Sequence, residues 1–227
     1  MNIALIGYGK MGKAIEEVAA ERGHRIVAKI NSQNPIDKLK NIKVDVAIEF
    51  TLPDVTVENI NFCLENKIPV VVGTTAWDSK LPLIKEKVAA TDGTLLYASN
   101  FSVGVNLLFA LNKKLASLIG PYPEYQASIE EIHHTQKLDA PSGTAISLTN
   151  QIVDNHTHYN DWELISDEHL KTPDNTLPIS ALRIDNVPGT HTIAYQSEID
   201  TIQLKHTAHN RKGFALGAVI AAEYLKD

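Results

Sequence analysis

Asn2-Ile3-Ala4-Leu5-Ile6 runs without a break into Gly7-Tyr8-Gly9-Lys10-Met11-Gly12, and the reading of this junction decides the fold. The first five residues are a short apolar run of strand length. The next six spell GxGxxG. Glycine permits a tight turn and the close approach of a pyrophosphate, while the first N–H groups of a helix and its dipole favour an anion. Beyond the loop, Met11, Ile15, Val18 and Ala19 keep the spacing of one helix face, and Gly23 is placed to end that helix. A strand, a glycine turn and a helix in this order give the motif its weight as a dinucleotide site rather than a bare turn.

Outward from this junction, β-branched runs alternate with helical patterns to about residue 100. Strands are expected at Asn2 to Ile6, Arg25 to Ile30, Val44 to Phe50, Val70 to Val72 and Leu95 to Ala98, with helices at Val55 to Asn66 and Leu81 to Ala90. Stacked βαβ units of this kind predict an α/β fold with a Rossmann-like, doubly wound parallel sheet. After Asn100 the pattern changes. Val105, Leu108, Phe109, Leu111, Leu115 and Leu118 mark a long helix, Ala127 to His133 a strand, and Ala181 to Val187, Thr190 to Ser197 and Thr201 to Thr207 further strands. These predict an α+β unit with a mixed or antiparallel sheet. Residues 155–178, polar and without a period, are expected to form a long surface loop, and Phe214 to Leu225 a closing helix.

Composition narrows the function. A formal charge of -6 argues against nucleic-acid binding, which depends on Lys and Arg neutralising phosphates. The one cysteine, Cys63, excludes a disulfide framework within the chain and fits a reducing compartment. Met1 leads directly into the first strand with no signal-like segment, and no run approaches membrane-span length, so a cytoplasmic protein without membrane attachment is expected.

Candidate chemistry lies at strand ends, where ligands of open α/β sheets bind. The loops Glu49-Phe50-Thr51, Gly73-Thr74-Thr75 and Ala98-Ser99-Asn100-Phe101 each follow a strand. Asn31 or Ser32 stands where an acid commonly holds the adenosine ribose of NAD, and Lys10 adds a positive charge, so NADPH is as compatible as NADH. The densest segment is Glu131-Ile132-His133-His134-Thr135-Gln136-Lys137-Leu138-Asp139-Ala140-Pro141-Ser142-Gly143-Thr144. Ser142 is placed as an N-cap, so the N–H groups of Gly143, Thr144 and Ala145 would face a substrate carboxylate. Lys137 offers a cation, and a histidine titrates near neutral pH. Read blandly, the same residues are a strand end and a helix-initiating turn. No metal site is expected, because adjacent strand residues point to opposite faces and neither Cys nor HExxH accompanies the pair. His156 and His158 belong to the polar stretch and read as solvated.

Together these blocks resemble the dihydrodipicolinate reductase family, now usually called 4-hydroxy-tetrahydrodipicolinate reductases. The resemblance is carried by Gly7 to Gly12, Glu49 to Thr51, Gly73 to Thr75, Asn100-Phe101-Ser102-Val103-Gly104-Val105-Asn106, His133-His134 through Lys137 to Thr144, and Arg211 with Phe214 to Ala218. It implies reduction of a dehydrated cyclic imine dicarboxylate by NADPH or NADH, with His133 as proton donor and acceptor and Lys137 as second proton donor. His134, Gly143 and Thr144 would contact substrate. Gly7, Tyr8, Gly9, Lys10, Met11, Gly12, Asn31, Phe50, Thr51, Gly73, Thr74, Thr75, Ala98, Ser99, Asn100, Phe101 and Arg211 would contact the cofactor. The resemblance further implies a dinucleotide-binding domain over residues 1–101 completed by 211–227, a substrate-binding and oligomerisation domain over 102–210, and a homotetramer. Lys10 replaces the usual arginine, Asn31 the usual acid, and Ala76 a frequent glycine, departures that bear on cofactor preference. Two other readings fit the residues alone: a different NAD(P)-dependent amino- or hydroxy-acid dehydrogenase, and a non-enzymatic dinucleotide-binding redox sensor.

Overall fold

A computed structural model describes residues 1–166 and 172–226. The chain divides into two compact units, Met1–Val103 with Arg211–Asp227, and Gly104–Asn210.

The first unit is built on β1 (Asn2–Ile6), β2 (Arg25–Ile30), β3 (Val46–Glu49), β4 (Val70–Val72) and β5 (Leu95–Tyr97), in the order β2-β1-β3-β4-β5. All four pairings are parallel. Successive strand residues point to opposite faces, so Ile3 and Leu5 enter one core while Ala4 and Ile6 enter another. The first core is closed by α1 (Lys10–Glu21) and by the last helix, Lys212–Lys226. The second is closed by α2 (Pro53–Glu65) and α3 (Leu81–Thr91). Sheets covered on both faces need continuous apolar strands, which is why Val70-Val71-Val72 is fully buried. Strand order reverses between β1 and β3, and the C-terminal edge at such a reversal forms a crevice. Cys63 is buried in the second core, and burial pushes its thiol pKa up to about 12.

The second unit contains α4 (Val103–Ile119), β6 (Gln126–His133), α5 (Gly143–Asn155), β7 (Asp161–Ile165), β8 (Thr176–Arg183), β9 (Thr190–Gln196) and β10 (Thr201–Thr207). Its sheet runs β10-β9-β6-β8-β7 and is mixed: β10, β9 and β6 are antiparallel, whereas β6, β8 and β7 are parallel. The final helix of the chain, α6 (Lys212–Lys226), belongs to the first unit.

Three expectations need correction, the first being that His156, expected in solvent, is buried at the end of α5 with its ring against Tyr159 and Tyr195. Residues 155–178 contain the edge strand β7 and the start of β8, because Trp162 and Leu177 supply apolar faces that pack on the sheet core; residues 167–171 of that stretch lie outside the described residues. The strand expected at Ala181 to Val187 instead starts at Thr176 and ends at Arg183, after which Asn186 takes a left-handed φ of 64° that no strand continues through.

Candidate active site

In the first unit, Gly9, Lys10, Met11, Phe50, Thr51, Pro53, Gly73, Thr74, Thr75 and Ala76 line a cavity of about 480 Å³ at the ends of β1, β3 and β4. Its geometry follows from three glycines. Gly7 has a φ of 94°, and a Cβ there would stand 1.9 Å from the Phe50 carbonyl oxygen. A Cβ on Gly12 would come within 2.4 Å of the Gly7 carbonyl oxygen, so α1 starts hard against the loop. Gly9 differs: a Cβ there meets nothing within 4 Å, which leaves its backbone open to the cavity. Gly9 is also the N-cap of α1, no side chain caps that end, and no acid sits in the first turn. Uncapped N–H groups facing an open space suit a pyrophosphate, so these residues fit a dinucleotide.

The strand-end loops are tied together by Glu49, which is fully buried. Its carboxylate accepts hydrogen bonds from the hydroxyls of Thr51, Thr56 and Thr74 and from the amide of Asn59, and Thr74 Oγ1 also accepts the Thr51 N–H at 2.8 Å. Burial raises its pKa, and these donors oppose the rise. Thr51 and Thr74 therefore line the cavity from fixed positions.

The other expected cofactor residues are not on the lining of this cavity. Tyr8 turns its hydroxyl to Glu16 and Lys29. Asn31 accepts the N–H groups of Gln33 and Asn34 at 2.9 and 3.0 Å, closing a turn at the end of β2. Ala98, Ser99 and Asn100 follow β5, with Asn100 Oδ1 accepting the Ser102 N–H. Phe101 is buried in the first core, its ring 5.9 Å from that of Phe50. Arg211 is exposed at the start of α6, where its carbonyl accepts the N–H groups of Phe214 and Ala215.

In the second unit the chemistry gathers at the C-terminal end of β6. Ala127, Ile129, Glu131 and His133 share the buried face, so one strand passes from an apolar core into a polar cluster. The sheet register completes it: His191 on β9 pairs with Glu131, and Arg183 on β8 pairs with His133. The Glu131 carboxylate accepts the Ser142 N–H at 3.1 and 3.0 Å and Arg183 Nη2 at 3.2 Å. His133 Nδ1 lies 3.5 Å from it and His191 Nε2 3.7 Å. Burial lowers the pKa of His133, with Lys137 and Arg183 adding to the effect and Glu131 opposing it. For His191, burial and then the His133 charge push the pKa down to about 4.

Lys137 Nζ reaches both oxygens of Asp139 at 2.8 Å. Partial burial would raise the Asp139 pKa, but the ammonium holds it below its usual range. Ser142 is the N-cap of α5: its Oγ accepts the Ala145 N–H at 3.2 Å and meets His191 Nε2 at the same distance. The cap thus consumes the Ala145 N–H that was expected to face a substrate; Gly143 and Thr144 open the helix. A Cβ on Gly143 would meet nothing within 4 Å, so that backbone is open. His134 follows β6, and its buried Nδ1 makes no hydrogen bond.

Glu131, Arg183 and His191 are members of this cluster that sequence reasoning missed as site residues. Glu131 was legible, being two residues before His133 on the same strand face. Arg183 and His191 come from distant strands whose register no local pattern gives. Among the described residues, Glu131, His133 and His191 are also the one group close enough to share a metal ion. The carboxylate is already matched by Arg183 and the Ser142 N–H, so we treat them as an ion-pair cluster.

The chain matches the family model for the N-terminus of dihydrodipicolinate reductase over residues 1–101 and that for its C-terminus over 104–227. It is 49% identical over 227 residues to a 4-hydroxy-tetrahydrodipicolinate reductase of Christiangramia forsetii, covering 100% of this chain and 93% of the relative. The corresponding protein of Rickettsia rickettsii is 36% identical over 235 residues, with 100% and 94% covered. A dihydrodipicolinate reductase of Paenisporosarcina sp. TG-14, solved with dipicolinate bound, superposes with a TM-score of 0.78 at 26% identity, covering 100% of this chain and 94% of that one.

Proposed function

The chain belongs to the dihydrodipicolinate reductase family and is an NAD(P)H-dependent oxidoreductase; from that premise we propose how its residues divide the work. The reaction is reduction of dehydrated 4-hydroxy-tetrahydrodipicolinate to tetrahydrodipicolinate, in lysine and diaminopimelate biosynthesis. What carries the division of labour is the placement of His133, Lys137 and the start of α5 around the end of one strand.

The Gly9–Met11 backbone and Lys10 hold the pyrophosphate of the cofactor, and Thr51, Thr74 and Thr75 line its path. Bound NAD(P)H supplies a hydride. Asn31 presents a carboxamide, not a carboxylate, at the end of β2, so that position does not repel a 2′-phosphate, and the chain accepts NADPH as well as NADH. Gly143, Thr144 and His134 receive one substrate carboxylate, and Lys137, exchanging Asp139 for substrate, receives negative charge beside it. His133, with Lys137 as a second source, delivers the proton that the reduced ring requires. A single cysteine, which allows no disulfide within the chain, fits a reducing, cytoplasmic setting, no described helix is long and apolar enough to cross a membrane, and the open face of the second sheet is the surface through which we expect four copies to assemble.

His133→Ala and Lys137→Ala should each lower kcat by roughly 100-fold or more, the scale of a lost general acid, while NADPH affinity stays near normal. Steady-state rates on freshly generated substrate, with fluorescence titration of the cofactor, test this. Near-normal turnover in either variant removes that residue from its role, and oxidation of NAD(P)H with simple amino or hydroxy acids would favour a different dehydrogenase.

A further inference from the structure

We propose that Glu131 is a positioning residue for this reaction: its single buried carboxylate fixes both the His133 ring and the start of α5, so that the proton source and the helix end offered to a substrate carboxylate are set by one group. The proposal rests on the reading of His133 as proton donor.

A fully buried carboxylate persists only when its charge and lone pairs are matched. Here both oxygens take the Ser142 N–H and Oε1 takes Arg183, which leaves the Oε2 side facing the two imidazoles. Ser142 is the residue that caps α5, and on β8 the residue paired with Glu131 is Ala181. His133 Nδ1 is buried and makes no hydrogen bond, with the carboxylate 3.5 Å away. With the carboxylate at that distance, its charge favours a proton on Nδ1, which leaves Nε2 for the chemistry. The Nε2 edge rests over Gly189, where a Cβ would stand only 3.1 Å from it. During turnover the imidazolium gives up its Nε2 proton and is left neutral, with its remaining proton on Nδ1, the ring nitrogen on the Glu131 side.

Each packed element contributes a charge to His133. Glu131 on its own strand and Asp139 on the following segment favour the imidazolium; Arg183 on β8 and Lys137 oppose it, while His191 on β9 lies in edge contact with the ring at 5.1 Å. These signs make the test specific. Activity that needs the imidazolium falls as pH rises through the His133 pKa. Glu131→Gln keeps the shape and an acceptor for Ser142 but removes the anion, so that falling limb should move to lower pH by about one unit, with kcat reduced about 10- to 100-fold. Arg183→Met removes a cation and should move the same limb to higher pH.

The experiment records kcat and kcat/KM against pH for the wild type, Glu131→Gln, Arg183→Met and His133→Ala, with NADPH affinity and folded fraction measured alongside. Opposite displacements of the limb in the first two variants, at unchanged NADPH affinity, are the expected result. A wild-type limb and kcat in Glu131→Gln would overturn the proposal. So would a lower kcat with the limb unmoved, the sign of a merely structural role. Should Glu131→Gln fail to fold, an unmoved limb in Arg183→Met overturns it. Normal turnover in His133→Ala would instead remove the reading beneath the proposal, whereas a dead His133→Ala beside a wild-type-like Glu131→Gln removes the proposal alone.

Discussion

His191 carries a cost that pH exposes. It is 4% exposed, and burial drives its pKa to about 4, against about 6.5 for histidine in an unfolded chain. Between these values the unfolded chain binds a proton that the folded chain refuses, so stability rises with pH through the window and is lost as pH falls from about 6.5 toward 4. At ~1.4 kcal/mol per unit the loss from this residue reaches at most about 3.5 kcal/mol, and His133, shifted in the same direction, adds to it. Urea midpoints at a series of pH values should show the decline. His191→Gln should flatten it; an unchanged slope in that variant would mean another group is responsible. The chemistry of this residue was visible in the sequence, but its place was not, since only the pairing of β9 with β6 sets it opposite Glu131.

At the level of elements, the first helix shows how finely a loop can be read. Gly9 and Gly12 occur in one motif yet face different surroundings, open space and the Gly7 carbonyl. Gly12→Ala should push α1 off the loop, costing about 1–3 kcal/mol together with cofactor affinity. Gly9→Ala should leave the melting temperature nearly unchanged while weakening NADPH binding at least tenfold, because its methyl occupies the space a pyrophosphate needs. Thermal melts and cofactor titration separate the two, and equal stability losses would contradict this reading of the loop. Ala76 shows a departure with a physical correlate: its φ of 63° is a left-handed conformation that glycine adopts more readily, at the position where the resemblance has glycine. Strands β1 and β4 were legible to the residue because parallel strands covered on both faces are continuous apolar runs. β8 was not, because Pro178 in its interior and the polar residues before it imitate a loop. β7, a five-residue edge strand with mostly exposed side chains, carries too little apolar periodicity to stand out.

For the molecule as a whole, two units divide the chemistry. One presents backbone N–H groups and hydroxyls around the glycine loop; the other presents imidazole, ammonium and a helix start. The glycine loop and the His133-to-Thr144 segment stood out as candidates because each is contiguous in sequence. The cluster around Glu131 could not, because it is assembled from three strands whose pairing depends on the sheet. The most direct measurement is oxidation of NADPH by the purified wild-type protein on freshly generated 4-hydroxy-tetrahydrodipicolinate. The account predicts one NADPH consumed per tetrahydrodipicolinate formed. Tight NADPH binding without turnover would contradict it.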